Sequence, residues 1–323
     1  MRVPSIRTAR LRARPHSPKV PARSTAHLVS YAPNPPPLDS EAIEALLALM
    51  RGRRTVVLTG AGCSTESGIP DYRGPETLRR ARNPIRWADY MANESSRRRY
   101  WARSMVGWPR MRGATPNEGH RALAELERAG AVTGLITQNV DRLHHVAGSE
   151  RVIELHGALA DVRCLDCGAI EARTALQDRL VALNFTWRPP QADTAPDGDA
   201  EIPVDALADF RVATCGACDD GTLKPDVVFF GENVPRAKVD AAFAMLDDAD
   251  LLLVVGSSLA VYSGFRFVRG AEERGRPIAI VNIGPTRGDP HAQVRVNGTA
   301  GAVLGAVRDA LATGTLANRA SVD

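Results

Sequence analysis

The sequence predicts an α/β protein organised around a doubly wound parallel sheet, and three observations lead to this prediction. Short apolar runs at residues 55–59, 251–255 and 278–281 have the length and composition of buried parallel strands. Stretches with helical spacing of apolar residues lie between such runs, so strand and helix alternate along the chain. Each run ends in glycine, serine or asparagine, which is typical of the edge where such sheets bind ligands.

The first helix is expected at residues 39–53, and it leads into the strand at 55–59. Gly60, Ala61 and Gly62 follow this strand. Their turn would let backbone N–H groups approach a diphosphate, and a helix beginning after it would add a partial positive charge. The turn therefore predicts a nucleotide pocket. A glycine turn without a ligand stays open as an alternative, because the third glycine of the dinucleotide fingerprint is missing.

The segment after this turn predicts a lid over the nucleotide. Pro70 follows Gly68 and Ile69, and a helix does not run easily into a proline, so the chain should leave as a loop. That loop carries Asp71 and Arg73 beside the predicted pocket. The guanidinium fork of an arginine suits a phosphate ligand.

The middle of the chain returns to the sheet. Residues 77–112 predict a small helical module, 116–128 a helix and 132–137 a strand, after which come Gln138, Asn139 and Asp141. His156 follows a further apolar run at 152–155. Because the carboxyl ends of parallel strands meet at one edge, we expect these polar side chains to form one site.

Four of the five cysteines form two C-x-x-C pairs, Cys164 with Cys167 and Cys215 with Cys218. Two such pairs complete a tetrahedral thiolate site with no open position, so we expect a structural zinc that stabilises a segment poor in apolar residues. A zinc ribbon that reads nucleic acid is the alternative for the motif alone, and the acidic insert at 189–201 weakens it. That insert is expected to be a solvent loop. Cys63 is either a small buried hydrophobe or a chemical group.

Bulk composition excludes several classes of protein. With 44% hydrophobic and 24% charged residues the chain is typical of globular proteins, and it has no apolar run near the roughly 20 residues of a membrane span. The net charge of +4 resides largely in the basic stretch 1–38, so the folded part is not expected to bind nucleic acid. We interpret 1–38 as a disordered bacterial extension of a cytoplasmic protein, with a mitochondrial transit peptide as the alternative.

Together these motifs resemble the sirtuin family of NAD-dependent protein lysine deacylases, class II branch. The resemblance covers about residues 40–310, and it rests on the 60–74 loop, the 138–141 and 156–157 motifs, both cysteine pairs, and the segments 224–232, 256–258 and 282–284. It implies a Rossmann-like NAD-binding domain (39–70, 116–156 and 228–312) and a small domain of a helical module and a four-cysteine zinc module (71–115 and 157–227). A C-terminal tail would occupy 313–323.

The resemblance also implies the residues of the site. His156, Asn139 and Asp141 would be catalytic. NAD would be bound by Gly60, Ala61, Gly62, Ser64, Thr65, Asp71, Tyr72, Arg73, Gln138, Asn139, Asp141, Gly256, Ser257, Ser258, Asn282, Ile283, Gly284 and Ala300. The acylated peptide would contact Tyr100, Arg103, Val228, Phe229, Phe230, Gly231 and Glu232, and it would add as a strand beside 258–261.

The implied reaction displaces nicotinamide from the ribose by the acyl oxygen of an acylated lysine. Asn139 and Asp141 would order a water and hold the carboxamide, and His156 would take a proton from a ribose hydroxyl. The products would be free lysine, nicotinamide and an O-acyl-ADP-ribose. The alternatives are mono-ADP-ribosyl transfer to a protein and a non-catalytic binding module that senses NAD.

The acyl group is a separate question. Tyr100 and Arg103 lie three apart on a predicted helix, so both side chains could share one pocket. A phenol and a guanidinium suit a carboxylate, and sirtuins that remove succinyl-type groups resemble this chain in carrying a Tyr-x-x-Arg pair here. An acidic acyl pocket and a plain apolar acyl channel both stay open.

Overall fold

A computed structural model describes residues 36–72, 84–189 and 198–320, with side chains as far as residue 313. The strands are β1 Thr55–Thr59, β2 Val132–Thr137, β3 Val152–Glu154, β4 Gly157–Cys164, β5 Ile170–Ala172, β6 Leu223–Val227, β7 Leu251–Val255, β8 Ile278–Val281 and β9 Val294–Val296. The helices are α1 Ser40–Met50, α2 Trp87–Ala92, α3 Glu94–Gly113, α4 Glu118–Arg128, α5 Leu143–Ala147, α6 Arg173–Leu183, α7 Arg236–Asp247, α8 Tyr262–Glu273 and α9 Ala300–Ala320.

The large domain is a six-stranded parallel sheet in the order β3-β2-β1-β7-β8-β9, which confirms the predicted fold class. β1, β7 and β8 are buried along their whole length because helices cover both faces of the sheet. Val57 packs with α1, α4 and α9 on one face, whereas Val56 and Leu58 pack with α7 and α8 on the other. The edge strand β9 was not foreseen, since three residues give too short a pattern to predict.

The smaller domain combines the antiparallel sheet β5-β4-β6 with α2, α3 and α6. Trp101 from α3, Leu180 from α6 and Phe210 all lie in one apolar core with Cys164 and Cys215. The zinc and helical modules therefore share one core, and the expectation that the zinc segment is too poor in apolar residues to fold alone stays a prediction. The end of the acidic insert is not the expected solvent loop, since Asp199 is buried.

Three local expectations also need correction. Two short 3-10 helices, Ala61–Cys63 and Thr65–Ser67, follow the glycine turn where an α-helix was expected, and Gly68 ends them in the left-handed region. The sequence of 222–232 predicts one strand, but β6 stops at Val227 and the following residues turn towards the cleft. Helix α9 continues to Ala320, well into the expected tail. No helix among the described residues could span a membrane.

Candidate active site in the interdomain cleft

A cleft of about 990 Å³ lies at the carboxyl edge of the large sheet, facing the small domain. It brings together residues that the sequence places far apart. The predicted NAD and catalytic residues that line it are Gly60, Ala61, Gly62, Ser64, Asp71, Tyr72, Gln138, Asn139, Asp141, His156, Gly256, Ser257, Ser258, Asn282, Ile283 and Gly284. The predicted substrate residues that line it are Tyr100, Val228, Phe229, Phe230, Gly231 and Glu232.

Four predicted residues are not in this lining. Thr65 is buried and its hydroxyl donates to the Gly62 carbonyl, and Ala300 begins α9 inside the large core. Arg103 is buried behind the cleft wall. Arg73 lies outside the described residues.

Glycine is required at the ends of β1 and β7 because the two strand-end loops touch. A Cβ on Gly60 would lie 2.8 Å from the Ser257 Cβ, and one on Gly62 would lie 2.9 Å from the Gly256 carbonyl oxygen. Gly256 itself has φ 62°, and its Cβ would lie 2.6 Å from the Gly62 carbonyl carbon. Close packing between loops thus demands these glycines even before a phosphate is considered.

We expect Gly256→Ala to destabilise the protein by about 2–4 kcal/mol, because left-handed strain adds to the collision with the 60–63 turn. Gly275→Ala is the matched control, since Gly275 has the same φ of 62° but nothing within 4 Å of its Cβ position. That control should cost about 1–2 kcal/mol from strain alone. Urea unfolding measures the free energy of unfolding of both variants. Equal losses in the two variants would show that the 60–63 turn moves aside without a free-energy cost.

Ser64 is the centre of a hydrogen-bond network that holds the catalytic candidates. Its hydroxyl donates to Asp141 Oδ2 at 2.7 Å and accepts from Asn139 Nδ2 at 3.1 Å. His120 Nε2 lies 3.4 Å from the same oxygen. Because the Asn117 backbone N–H donates to His120 Nδ1 in the capping box of α4, Nε2 carries the proton and faces Ser64 as a donor. The Ser64 hydroxyl must therefore give its own proton to Asp141.

His120 was not predicted as part of the site. Burial lowers its pKa to about 4, so it stays neutral and keeps this direction of donation. Only the helix-opening motif at 116–120 hinted at it. Cys63 and His144 lie beside it. Cys63 is fully buried and burial raises the pKa of its thiol, which supports a small buried hydrophobe.

His156 is oriented from both sides of its ring. Nδ1 lies 2.9 Å from the Gln138 carbonyl oxygen, so Nδ1 carries the proton in the neutral ring and Nε2 has a free lone pair. Nε2 accepts from the Ser263 hydroxyl at 2.8 Å, a partner that sequence reasoning missed. Burial is the main cause that lowers the pKa of His156. The ring is thus held as a neutral base whose Nε2, which here accepts from Ser263, is placed to accept a hydroxyl proton.

The predicted nucleotide residues at the other strands have defined contacts. The Ser257 hydroxyl donates to Gln138 Oε1 at 2.7 Å, which joins the ends of β7 and β2. The Asn282 amide, 9% exposed, donates to the carbonyl oxygens of Ile283 and Gly284 at 2.8 and 3.1 Å. Its carboxamide oxygen is thereby left to accept from a ligand hydroxyl.

The substrate side carries a buried ion pair. Lys224 Nζ lies 3.1 Å from Glu232 Oε2, and its ammonium also lies 4.7 Å from the centre of the Phe229 ring. The same Glu232 oxygen accepts from the Phe229 backbone N–H at 2.8 Å. Burial lowers the pKa of Lys224, whereas the Glu232 carboxylate raises it. These contacts hold the 229–232 turn in place.

Arg103 does not point towards the cleft lining. Its Nε donates to the Ala200 carbonyl at 2.8 Å and lies 3.8 Å from Asp199 Oδ2, and both side chains are nearly fully buried. Asp199 lies on the cleft side of this pair with Tyr100, Ile85 and Leu159. Of the two alternatives for the acyl group, the Tyr100–Arg103 carboxylate pocket is disfavoured, because Arg103 pairs with the distant Asp199 and lies outside the cleft lining.

The four paired cysteines fit zinc. The sulfur atoms of Cys164 and Cys218 are 3.8 Å apart, as are those of Cys167 and Cys215, and all four lie within 4.8 Å of one another. A thiolate tetrahedron with Zn–S bonds of about 2.3 Å has edges of about 3.8 Å. A Cβ on Gly221 would lie 2.7 Å from Cys218 Sγ, so the sulfur cradle leaves no room for a side chain.

Comparison with known proteins agrees with this architecture. The family model described as "Sir2 family" matches residues 60–263. "NAD-dependent protein deacetylase 1" of Mycobacterium avium is 52% identical over 82% of this chain and 94% of that protein. Human "NAD-dependent protein lipoamidase sirtuin-4, mitochondrial" is 47% identical over 87% of this chain and 90% of its own length.

A solved structure, "Structural Basis for the Mechanism and Regulation of Sir2 Enzymes", superposes with a TM-score of 0.66 at 33% identity. It covers 84% of this chain and 98% of the other. "Sir2-p53 peptide-NAD+" superposes with a TM-score of 0.65 at 30% identity, over 85% and 99% of the two chains. The resemblance expected from the motifs is confirmed, and the chain belongs to the Sir2 family.

Proposed function

We propose that this protein is an NAD-dependent protein lysine deacylase that releases nicotinamide and an O-acyl-ADP-ribose. The observation that carries the proposal is a neutral His156, with the proton on Nδ1 and Nε2 as acceptor, in one cleft with Asn139 and Asp141. The names of the deacetylase relatives support the same activity.

The residues present fit NAD. The ends of β1 and β7, with Ser257 and Ser258, form the small-residue rim for its phosphates, and Asn282 takes the adenine ribose. Asn139 and Asp141, locked by Ser64, hold the carboxamide end. Asp71 and Tyr72 also line the cleft. The lid contact of Arg73 stays a prediction, because Arg73 lies outside the described residues. When bound, NAD supplies the activated ribose that accepts the acyl group.

His156 acts as the general base in this proposal. Its Nε2 would exchange the Ser263 hydroxyl for a ribose hydroxyl and take the proton, while the Gln138 carbonyl holds the proton on Nδ1. Phe230 and Val261 lie exposed at the mouth of the cleft, where the substrate peptide would add as a strand between 229–232 and 258–261. Backbone pairing accommodates many peptide sequences.

The experiment is product analysis with NAD labelled in the adenine. The proposed activity places the label in O-acyl-ADP-ribose when an acetyl-lysine peptide is present. Label on protein would instead indicate mono-ADP-ribosyl transfer, the alternative that uses the same activated ribose. A protein that bound NAD but released no nicotinamide with any acyl-lysine peptide would be a binding module.

For the acyl group, we propose an apolar channel and an uncharged acyl chain. The cleft beside Tyr100 is lined by Ile85, Leu159 and Val227, and the acidic group there is Asp199, so an acyl carboxylate would meet a carboxylate rather than a cation. Asp199 pairs with Arg103, which lies outside the cleft lining. The wild type should therefore turn over acetyl-lysine in preference to glutaryl-lysine.

Arg103→Met tests this assignment. Removing the guanidinium breaks a buried ion pair with the Asp199 carboxylate, so we expect about 3–5 kcal/mol of destabilisation in urea unfolding. kcat/KM should fall equally for acetyl- and glutaryl-lysine peptides. Arg98→Met, which removes an exposed pair with Glu94 on the same helix, should cost no more than about 1 kcal/mol. A KM increase confined to the glutaryl-lysine peptide would instead support the carboxylate pocket.

We also propose the bacterial cytoplasm as the compartment, supported by the bacterial relatives. The mitochondrial alternative requires residues 1–38 to act as a transit peptide, and residues 1–35 lie outside the described part.

A further inference from the structure

Arg266 stands out among the charged residues of the cleft because no carboxylate of the described residues forms an ion pair with it. Among the described lining residues it is the one lysine or arginine. Of the four described lining carboxylates, Asp141 accepts from Ser64, Asp199 pairs with Arg103, Glu232 pairs with Lys224, and Asp71 has an interaction of its own. Within the described part of the chain, the buried Nε of Arg266 has no hydrogen-bond partner.

The position of Arg266 on α8 places it on the substrate side. Ser263, one turn earlier on the same helix face, contacts His156 Nε2. Tyr262, four residues earlier, is 61% exposed, and the Arg266 guanidinium lies 5.3 Å from the centre of its ring. Burial lowers the pKa of His156 most strongly, and the charges of Lys238 and Arg266 lower it further, so the guanidinium lies within electrostatic reach of the imidazole.

The mouth of the cleft is apolar on both sides, since Phe230 and Val261 are exposed there. A peptide that enters between them meets apolar surface, the Tyr262 ring and one unbalanced cation. The guanidinium lies over the Tyr262 ring, and the planar fork of its terminal N–H groups matches a planar anion.

We propose that Arg266 and Tyr262 form an anion subsite that recognises an acidic side chain of the substrate protein close to the acylated lysine. This inference rests on the proposed deacylase function and adds a substrate preference to it. A carboxylate on the peptide would pair with the guanidinium in two parallel hydrogen bonds. Part of the free energy of this pair is lost to solvent screening at the rim.

The test uses the full-length protein and three acetyl-lysine peptides that differ only in carrying glutamate, glutamine or lysine within two residues of the modified lysine. In the wild type the KM for the glutamate peptide should be about two- to fivefold below that for the glutamine peptide. In Arg266→Gln this ratio should fall to about one, and Arg266→Lys should keep part of it. High salt should reduce the wild-type ratio.

Arg269→Gln is the matched control, because Arg269 lies on the same helix but pairs with Glu272 outside the cleft lining, and it should keep the wild-type ratio. Three results would overturn the subsite. The first is no glutamate preference in the wild type, and the second is a KM increase for NAD with all three peptides in Arg266→Gln. The third is a loss of activity in Arg266→Gln that is confined to a glutamine peptide carrying glutaryl-lysine in place of acetyl-lysine. Turnover of the glutamine peptide by the wild type tests the deacylase function separately.

Discussion

Replacing His156 with alanine is expected to lower the rate of deacylation by about a hundredfold or more, because the reaction loses its general base. NAD binding should largely persist, since the phosphate and ribose residues lie on other strands. The measurement is kcat with an acetyl-lysine peptide, beside NAD affinity from calorimetry. Because burial lowers the pKa of His156, wild-type activity should extend to a lower pH than an unperturbed histidine would permit, and it should fall as the imidazole gains its proton.

Ser263→Ala is the control for orientation at this site. Its hydroxyl contacts the nitrogen that would receive the proton, but Nδ1 stays anchored on the Gln138 carbonyl. The variant should therefore keep most of its activity. Near wild-type turnover in His156→Ala would contradict the assigned base, and loss of NAD binding in that variant would show that the ring supports the cofactor pocket instead.

Removal of zinc is expected to have the second large effect. Cys215→Ser, or prolonged chelation, should unfold the small domain, because Cys164 and Cys215 belong to the same apolar core as Trp101, Leu180 and Phe210. Activity should vanish as a consequence. Tyr100 belongs to that core and Phe229 packs against it, and both residues line the cleft. Metal content, near-ultraviolet circular dichroism and thermal unfolding measure the change together.

Cys63→Ala should retain one zinc per chain, because Cys63 lies in the large core and outside the sulfur tetrahedron. X-ray absorption should show four sulfur ligands at about 2.3 Å. A bound water on the metal, or a folded small domain after complete chelation, would contradict a structural role.

Residues close together in the sequence determined much of this description. The apolar runs that became β1, β7 and β8 were identifiable because strands buried on both faces are continuously apolar. The cysteine pairs were identifiable because ligand spacing within each knuckle is local. The polar residues after each strand were predicted to meet because parallel strands present their carboxyl ends at one edge, and Gln138, Ser257 and Asn282 do line one cleft.

Long-range contacts decided what the sequence left open. A helical spacing placed Tyr100 and Arg103 on one face, yet only the fold brings Asp199 to the guanidinium and so removes it from the cleft. The glycines of the 60–62 turn were explained by a ligand, whereas the facing Gly256 loop already requires them. The Ser263 partner of His156 and the unbalanced charge of Arg266 likewise depend on neighbours distant in sequence, because charge balance and hydrogen-bond satisfaction belong to the packed structure.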